Sequence, residues 1–204
     1  MEVIPINNID ITQIVAALKE GKTIVYPTET CYGLGADATN EAAVAKLFAI
    51  KKRQQEKSML MLMADEPMVQ EYVAWNHQLH DIAQTYWPGP LTLVSNRFDD
   101  VPLASGVIAP DNTIALRITA HPLAAEITSA LGKPIVSTSA NISEHDSAYD
   151  IEHVIAMFTD QKEQPDIIID AGDLPHQSPS TIVKIEEHGL HVIRQGELII
   201  PEQR

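Results

Sequence analysis

Uncharged polar side chains follow two of the predicted strands, at the points where those strands end. Thr28 and Thr30 come directly after the apolar run "IVYP", and Ser137, Ser139 and Asn141 lie in "STSAN" after "KPIV". Hydroxyl and amide groups bind a ligand through hydrogen bonds without competing as strong nucleophiles. In a twisted open sheet the strand ends converge on one crevice, so these residues predict a polar ligand cleft.

Three further polar residues lie at or near strand ends. Arg117 lies within "NTIALRI", Ser180 opens "STIVKIEE" and Arg194 closes "LHVIRQG". Each of these residues alone is typical of turn chemistry, because Ser and Asn after a strand commonly cap the next element. Taken together with the two isolated arginines, the set indicates an anion-binding cleft without an acid/base dyad.

A cluster of basic residues is the second informative feature. Of the 14 Lys and Arg residues, four lie in the stretch "KKRQQEK", namely Lys51, Lys52, Arg53 and Lys57. By itself the cluster is typical of a solvated helix end, where basic side chains complement the helix dipole. It also provides a local positive site on an acidic protein.

Composition limits the classes of protein that this chain can belong to. The 204 residues carry a net charge of −14, which argues against a broad basic surface for nucleic acid. The single cysteine excludes an internal disulfide framework and agrees with a reducing compartment. The longest apolar runs fall well short of the ~20 residues of a membrane span. We therefore expect a cytoplasmic protein without a membrane segment, built as one domain over residues 1–204.

The pattern of apolar residues predicts alternating helices and strands. A helix follows Asp10 as its cap and ends before Gly21, and a second helix follows Asn40 and ends at the basic cluster. Strands separate helices early in the chain, whereas the last strands form a predicted hairpin around residues 187–189. This order favours an α/β fold with a twisted, open, mixed sheet and flanking helices.

Generic site motifs account for little of the sequence. The "GKT" trio at residues 21–23 lacks the upstream glycine and the preceding strand of a phosphate-binding loop. Gly33, Gly35 and Ala38 fit a loose dinucleotide fingerprint, but no second mononucleotide half follows. Cys31 could serve as a nucleophile, although a small buried hydrophobe is the commoner role of such a cysteine.

Several motifs resemble the YrdC-like threonylcarbamoyl-adenylate synthase family in both order and spacing. The resemblance spans residues 11–196 and rests on "YPTETCYGLG", Lys51 and Arg53 as K-x-R, "WPGPLTLV", "ALRITAHP", "STSAN", "PSTIV" and "IRQG". It implies the YrdC-like fold of the short, single-domain members. The chain differs from many members at Gln54, where a proline is usual, and in "SEHDS", which lacks the glycine often found after the S-A-N turn.

The resemblance also implies an activity. Members of the family form L-threonylcarbamoyl-AMP and pyrophosphate from L-threonine, bicarbonate and ATP, for N6-threonylcarbamoyladenosine in tRNA. It implies Mg²⁺ bound with ATP, product transfer to tRNA-modifying partner proteins, and only weak or transient contact with tRNA. Two alternatives stay open: a relative that binds RNA or a nucleotide without turnover, and a related carbamoyl-adenylate chemistry on another acceptor.

Site residues follow from the same resemblance. L-Threonine would be held by Thr28, Arg117, Ser137 and Ser180. ATP would be held by Arg53, Lys57, Thr113, Ser139, Ser147 and Arg194, and the catalytic set would be Lys51, Arg53, Ser139 and Asn141. The resemblance places Lys51 and Arg53 on the phosphates, and it names no protein ligand for the metal.

Overall fold

Apolar runs and polar caps in the sequence form eleven strands and six α-helices in the described part of the chain. The structure is a computed structural model that describes residues 1–54, 57–186 and 189–200. In chain order the strands are β1 (Glu2–Pro5), β2 (Ile24–Pro27), β3 (Tyr32–Gly35), β4 (Met61–Met63), β5 (Leu91–Asn96), β6 (Thr113–Ile118), β7 (Ile135–Val136), β8 (Thr138–Ser139), β9 (Ile167–Asp170), β10 (Thr181–Glu186) and β11 (Gly189–Arg194). The helices are α1 (Ile11–Lys19), α2 (Glu41–Lys51), α3 (Glu66–Gln70), α4 (His77–Tyr86), α5 (Pro122–Leu131) and α6 (Ile151–Thr159).

The strands belong to two mixed sheets. One sheet has five strands in the order β1, β9, β2, β3, β8, and the other has six in the order β11, β10, β5, β6, β4, β7. Both contain parallel and antiparallel pairs, which confirms the predicted α/β class and mixed strand pairing. The sequence pattern did not predict the division into two sheets, nor β3 as a strand.

The first two helices begin where their caps predict. The Asp10 carboxylate accepts a hydrogen bond from the Thr12 N–H at 2.9 Å, which starts α1. The Asn40 side-chain oxygen accepts from the Ala43 N–H at 3.0 Å and starts α2. These bonds satisfy N–H groups that have no partner within the helix. Helix α2 ends at Lys51, so the basic cluster begins in its last turn.

Strands β2, β4 and β9 are buried on both faces. In β4, Met61 and Met63 pack into one hydrophobic cluster, whereas Leu62 packs into a second cluster together with α1 and α5. The same alternation holds in β2, where Ile24 and Val25 belong to different clusters. Because successive side chains of a strand point to opposite faces, such strands have continuous apolar sequences.

The predicted strand "KPIVSTSAN" is two short strands in different sheets. Strand β7 pairs with β4 in the six-stranded sheet, and β8 pairs with β3 in the five-stranded sheet. Ser137 lies between them, where the chain crosses from one sheet to the other. The predicted pairing of the last two strands is confirmed by the antiparallel register of β10 and β11, while residues 187 and 188 of their turn lie outside the described residues.

Candidate active site

A cleft of about 340 Å³ opens between the ends of the two sheets. We call it the hydroxyl cleft, because serine and threonine side chains supply much of its wall. It is lined by Thr28, Thr30, Cys31, Gly33, Arg53, Ser58, Met59, Leu60, Thr92, Ala115, Arg117, Ser137, Thr138, Ser139, Ser147, Pro179, Ser180, Ile182 and Arg194. Both sheets contribute to it, so a ligand there would touch the five-stranded and the six-stranded sheet at once.

Strand direction explains why Arg117, Ser180 and Arg194 share this cleft. Strand β10 runs parallel to β5, and β5 runs antiparallel to β6, so the start of β10 lies beside the end of β6. Strand β11 returns antiparallel to β10, which brings Arg194 opposite Ile182 and next to Ser180. The Arg194 Nη2 donates to the Ser180 carbonyl at 2.8 Å. Two distant parts of the sequence, β6 and the hairpin of β10 and β11, therefore meet at one sheet end.

A tight turn closed by Thr28 joins β2 to β3. The Thr28 hydroxyl donates to the Cys31 carbonyl at 2.7 Å and accepts from the Thr30 N–H at 3.2 Å. It also accepts from the Cys31 N–H at 3.3 Å, so its hydrogen and both lone pairs are engaged within the turn. The geometry assigns the Thr28 hydroxyl to shaping this wall of the cleft, and its predicted contact with a ligand stays a prediction.

Glycines in β3 allow close approach at the base of the cleft. A Cβ on Gly35 would lie 2.4 Å from the Val136 carbonyl oxygen and 2.9 Å from the Tyr26 ring. A Cβ on Gly33 would lie 3.1 Å from the Thr28 methyl group and 3.4 Å from the Ser137 hydroxyl. These two positions need glycine because neighbouring atoms occupy the space of a side chain. The spacing of the two glycines in "YGLG" thus reflects close packing around the cleft.

Arg117 lies in the wall of the hydroxyl cleft and is only 3% exposed. Its Nε lies 3.7 Å from the Glu29 carboxylate, beyond hydrogen-bond distance, and has no hydrogen-bond partner among the described residues. A guanidinium carries five N–H donors in a planar fork that matches a carboxylate. The Arg117 guanidinium is therefore a buried, charged group with hydrogen-bond donors that a ligand in the cleft can use.

A second cleft of about 350 Å³ adjoins the first. We call it the cationic cleft, and it is lined by Lys51, Lys52, Arg53, Gln54, Lys57, Ser139, Asn141, Ser143 and Glu144. It forms where α2 ends and the basic cluster faces the turn that follows β8. Arg53 and Ser139 line both clefts. A ligand that fills both would therefore pass these two side chains.

Lys51 is buried beneath the cationic cleft, with only 2% of its surface exposed. Its Nζ donates to the Ser139 carbonyl at 2.7 Å, to the Asn141 carbonyl at 2.9 Å and to the Asn141 side-chain oxygen at 2.7 Å. These three bonds use all three ammonium hydrogens. The Ser139 hydroxyl also donates to the Asn141 side-chain oxygen at 2.7 Å. Lys51 thus joins K-x-R to S-x-N as a clamp that fixes the turn.

Burial and, to a lesser degree, the nearby Arg53 cation lower the pKa of Lys51 to about 8. The neutral form of a buried amine is favoured because no carboxylate offsets the cost of removing its charge from water. The same principle acts in reverse on Cys31, where burial raises the pKa of the thiol. Cys31 is half-buried and lines the hydroxyl cleft instead of packing as a small core hydrophobe, which corrects that expectation. A raised pKa disfavours the thiolate that a nucleophile requires.

Arg53 is held by the loop that follows it. Its Nε donates to the Lys57 carbonyl at 3.0 Å and its Nη2 donates to the Ser58 carbonyl at 3.1 Å. These bonds fix the guanidinium and leave further N–H donors that can meet an anion. The preceding residue, Lys52, ends α2 in the left-handed conformation with φ of 50°, which turns the chain toward the cleft.

The structure brings together all of the sequence-predicted site residues except one. Thr113 lines neither cleft; it is buried at the start of β6, and its hydroxyl donates to Asp111 at 2.6 Å. Its contact with a nucleotide stays a prediction. The remaining residues lie in the hydroxyl cleft, the cationic cleft or both.

Sequence reasoning missed several lining residues. Ser143 and Glu144 line the cationic cleft, and Thr92 lines the hydroxyl cleft, where its hydroxyl lies 2.9 Å from that of Ser180. Ser143 lies two residues after the "STSAN" motif, so adjacency could have indicated it. Thr92 lies inside an apolar strand 88 residues from Ser180, and no local signal marks it.

Two searches of the described ranges gave a negative result. No group of three or more His, Cys, Asp or Glu side chains in residues 1–54, 57–186 and 189–200 is arranged to hold a metal ion. Within the same ranges, no helix is long and apolar enough to cross a bilayer.

Comparison with known proteins gives a family model and a curated relative that each match most of the chain. The sequence model of the Sua5/YciO/YrdC family, described as "Telomere recombination", matches residues 16–196. The threonylcarbamoyl-AMP synthase of Aliivibrio fischeri is 34% identical over 191 residues, which cover 92% of this chain and 99% of that protein.

Two solved structures share the fold. The crystal structure of P. abyssi Sua5 complexed with L-threonine matches with a TM-score of 0.83 at 30% identity, and the match covers 96% of this chain. The chain spans only 58% of that Sua5 chain. E. coli YciO matches with a TM-score of 0.81 at 25% identity, over 96% of this chain and 94% of YciO.

Proposed function

The chain belongs to the Sua5/YciO/YrdC family, and from this premise we propose that it is an L-threonylcarbamoyl-AMP synthase. The substrates are L-threonine, bicarbonate and ATP, and the products are L-threonylcarbamoyl-AMP, pyrophosphate and water. The name of the Aliivibrio fischeri relative and the threonine complex of P. abyssi Sua5 support this proposal.

The reaction forms two bonds and needs little covalent help from the protein. The threonine nitrogen bonds to the carbon of bicarbonate, water leaves, and a proton is released as the carbamate forms. A carbamate oxygen then attacks the α-phosphorus of ATP, and the bond to pyrophosphate breaks. Such a site must mainly orient anions and offset their charge.

The main support for the proposal is that two chemically different clefts adjoin each other. The hydroxyl cleft offers neutral hydroxyls and the Arg117 fork, which suit a small amino acid, and the cationic cleft offers positive charge, which suits a triphosphate. Arg53 and Ser139 line both clefts. The carbamate and the α-phosphorus would therefore meet beside these two residues.

On the amino-acid side, Arg117 would bind the threonine carboxylate through two parallel N–H bonds. Ser137 and Ser180 are buried at the ends of strands from different parts of the chain and would contact the rest of the molecule. Thr28 would contribute mainly through the turn that it closes. Desolvation in this buried cleft strengthens each of these polar contacts.

On the nucleotide side, Arg53 and Lys57 would contact the phosphates in the cationic cleft. Ser147 and Arg194 line the hydroxyl cleft, and their contact with ATP stays a prediction. Lys51 would act differently from its motif partner. Its three hydrogens already hold the S-x-N turn, so it would contribute charge and rigidity. The Ser139 hydroxyl, oriented by that turn, would face the reacting groups.

Mg²⁺ would arrive with ATP and offset the charge of the departing pyrophosphate. Glu144 and Ser143 line the cationic cleft and carry oxygen donors, which are the ligands that Mg²⁺ takes. A magnesium ion bound to a triphosphate needs only one or two protein ligands, since phosphate oxygens and water complete its shell. These two side chains would hold it from the protein side.

The product would pass to partner proteins that modify tRNA. Neutralising the phosphates of tRNA requires a basic face, whereas this chain has 28 acidic and 14 basic residues. Four of the basic residues belong to the cluster that would bind ATP. Contact with tRNA would therefore be weak, and a salt titration should show no specific complex near physiological ionic strength.

Pyrophosphate release tests the proposal. We expect release only when ATP, L-threonine and bicarbonate are all present, because the attacking oxygen exists only in the carbamate. Release that is equal with L-serine, or without any amino acid, would contradict the assignment. Binding of ATP without threonine-dependent release would favour a nucleotide-binding relative instead.

A further inference from the structure

A group of unpartnered polar atoms lies behind the hydroxyl cleft. Glu29 Oε1, Arg117 Nε and His121 Nδ1 are buried and have no hydrogen-bond partner among the described residues. Thr119 connects Glu29 to the chain beside it, because its hydroxyl donates to Glu29 Oε2 at 2.6 Å and accepts from the backbone N–H of His121 at 3.2 Å. Buried polar atoms are nearly always paired, so three such atoms in one group require an explanation.

Glu29 occupies the centre of this group. Its neighbours in the chain, Thr28 and Thr30, line the hydroxyl cleft, whereas Glu29 does not. Its side chain is 14% exposed and reaches Thr119, the residue just past the end of β6. Glu29 therefore reaches both Thr119 and the vicinity of Arg117 without lining the cleft itself.

The ion pair of Glu29 and Arg117 is open, unlike another partly buried pair in the same molecule. Lys46 and Asp166 close to 2.6 Å, as expected when charge pairing serves the fold alone. Arg117 Nε and Glu29 Oε1 stop at 3.7 Å although Arg117 is only 3% exposed. The carboxylate thus offsets the charge of the buried guanidinium without using up its donors.

We propose that Glu29 is a positioning residue for the amino-acid substrate. Anchored by Thr119, it offsets the charge of Arg117 and orients the guanidinium, so that the guanidinium donors remain open for the substrate carboxylate. This inference rests on the proposed function, because it gives the open donors of Arg117 their ligand. Glu29 itself does not touch the substrate.

The test is Glu29→Gln, which keeps the shape and an acceptor for Thr119 but removes the charge. We expect the KM for L-threonine to rise about tenfold, by analogy with the ten- to hundredfold losses that follow removal of a group that orients a metal ligand. The KM for ATP should stay within about twofold, because the cationic cleft is unaffected. Glu29→Asp, which keeps the charge, should recover part of the threonine affinity.

Two further variants separate positioning from folding. Thr119→Val removes the hydroxyl that anchors Glu29, should raise the same KM, and should add little to Glu29→Gln because both act through one contact. Glu41→Gln is the matched control, because that carboxylate accepts from the Ser105 N–H at 2.8 Å outside both clefts. It should leave the KM for threonine unchanged.

The results distinguish this inference from the proposed function. A wild-type protein that binds L-threonine in calorimetry but releases no pyrophosphate would contradict the proposed function. The role of Glu29 could then still be tested by the ratio of the threonine dissociation constants of Glu29→Gln and the wild type. An equal rise in both KM values, an unchanged KM for threonine, or additive effects of Glu29→Gln and Thr119→Val would overturn the role of Glu29. If Glu29→Gln fails to fold, Thr119→Val alone tests the role of Glu29: a rise in the KM for threonine but not in the KM for ATP supports it, and any other result overturns it. Absence of any threonine binding by the wild type would overturn both.

Discussion

The hydroxyl cleft and the cationic cleft adjoin but are built in different ways. Strand ends from both sheets form the first, and its polar residues such as Ser137, Ser180 and Arg117 are almost fully buried. A helix end and two loops form the second, where Lys52, Lys57 and Glu144 are exposed. The hydroxyl cleft is suited to recognise a ligand by its shape and through fixed hydrogen bonds, whereas the cationic cleft is suited to recognise a ligand by its charge. Substitutions on the two sides should therefore affect different kinetic constants.

The largest effect is expected at Arg53, which both clefts share. Arg53→Ala should lower kcat/KM by about 100-fold or more, because a cation on a transferring phosphoryl group contributes several kcal/mol in the transition state. The free energy of unfolding should fall by only about 1 kcal/mol, the value of its bonds to the loop carbonyls. Steady-state kinetics and urea denaturation measure the two quantities.

Arg97→Ala provides the matched control for Arg53→Ala. Arg97 also donates to backbone carbonyls, those of Phe98 and Asp99 at 2.7 and 2.9 Å, but it lines neither cleft. Its loss should leave kcat/KM close to the wild-type value. If the two variants lose activity equally, the basic cluster has only a structural role.

Arg117→Lys should affect the hydroxyl cleft alone. Lysine keeps the charge but cannot form two parallel bonds to a carboxylate. Losing a charge-assisted bond of about 1.5 to 3 kcal/mol should raise the KM for L-threonine by roughly 10- to 100-fold. The KM for ATP should change by less than about threefold. A change in the KM for ATP instead would mean that Arg117 belongs to the nucleotide.

Lys51 should make ATP binding sensitive to pH. Its pKa is lowered to about 8, so the folded protein loses this charge as the pH rises through that value. Loss of one charge near the phosphates, worth about 1 kcal/mol, should weaken ATP binding about fivefold between pH 7 and pH 9. Calorimetric titration without threonine measures this directly, since it excludes ionisation of the threonine amine.

Lys51→Met is the control for that titration. A side chain that cannot ionise should bind ATP more weakly and with a dissociation constant that stays level over the same range of pH. A wild-type constant that does not change between pH 7 and pH 9 would mean that Lys51 lies too far from the phosphates or stays charged.

The smallest change in stability is expected at Glu144, in the loop of the cationic cleft. Its φ of 71° lies in the left-handed region, which costs an L-residue roughly 1 to 2 kcal/mol and glycine almost nothing. Glu144→Gly should raise the free energy of unfolding by about 0.5 to 1 kcal/mol, because the greater entropy of unfolded glycine offsets part of the gain. Glu144→Ala, which removes the charge but keeps a Cβ, should not. Equal stabilities in urea denaturation would show that backbone strain is not the cause.

The same contrast explains how much could be predicted from the sequence. Much of the cationic cleft could be predicted from local signals. The Asn40 cap indicates where α2 begins, and Lys51 and Arg53 lie at and just after its end. The burial of Lys51 could not be predicted, since its acceptors in Ser139 and Asn141 lie 88 and 90 residues away.

For the hydroxyl cleft, the sequence predicted which residues lie at strand ends, but it did not predict which residues contact each other across the two sheets. The pattern located Thr28, Arg117 and Ser180 at strand ends but gave no indication that two sheets would share them. The bond from Thr119 to Glu29 joins residues 90 positions apart, and neither residue stands out in its own segment. Pairing between distant strands decides these contacts, and no local periodicity encodes it.

The most direct test of the account is whether the two clefts together join three substrates into one product. The protein would be incubated with ATP, L-threonine and ¹³C-labelled bicarbonate, and the adenylates would be separated and weighed by mass spectrometry. We predict an adenylate with the mass of threonylcarbamoyl-AMP that carries the label from bicarbonate, formed about 100-fold more slowly, or slower still, with Arg53→Ala. Pyrophosphate release without a labelled threonylcarbamoyl-adenylate, or an adenylate that contains no label, would contradict the account.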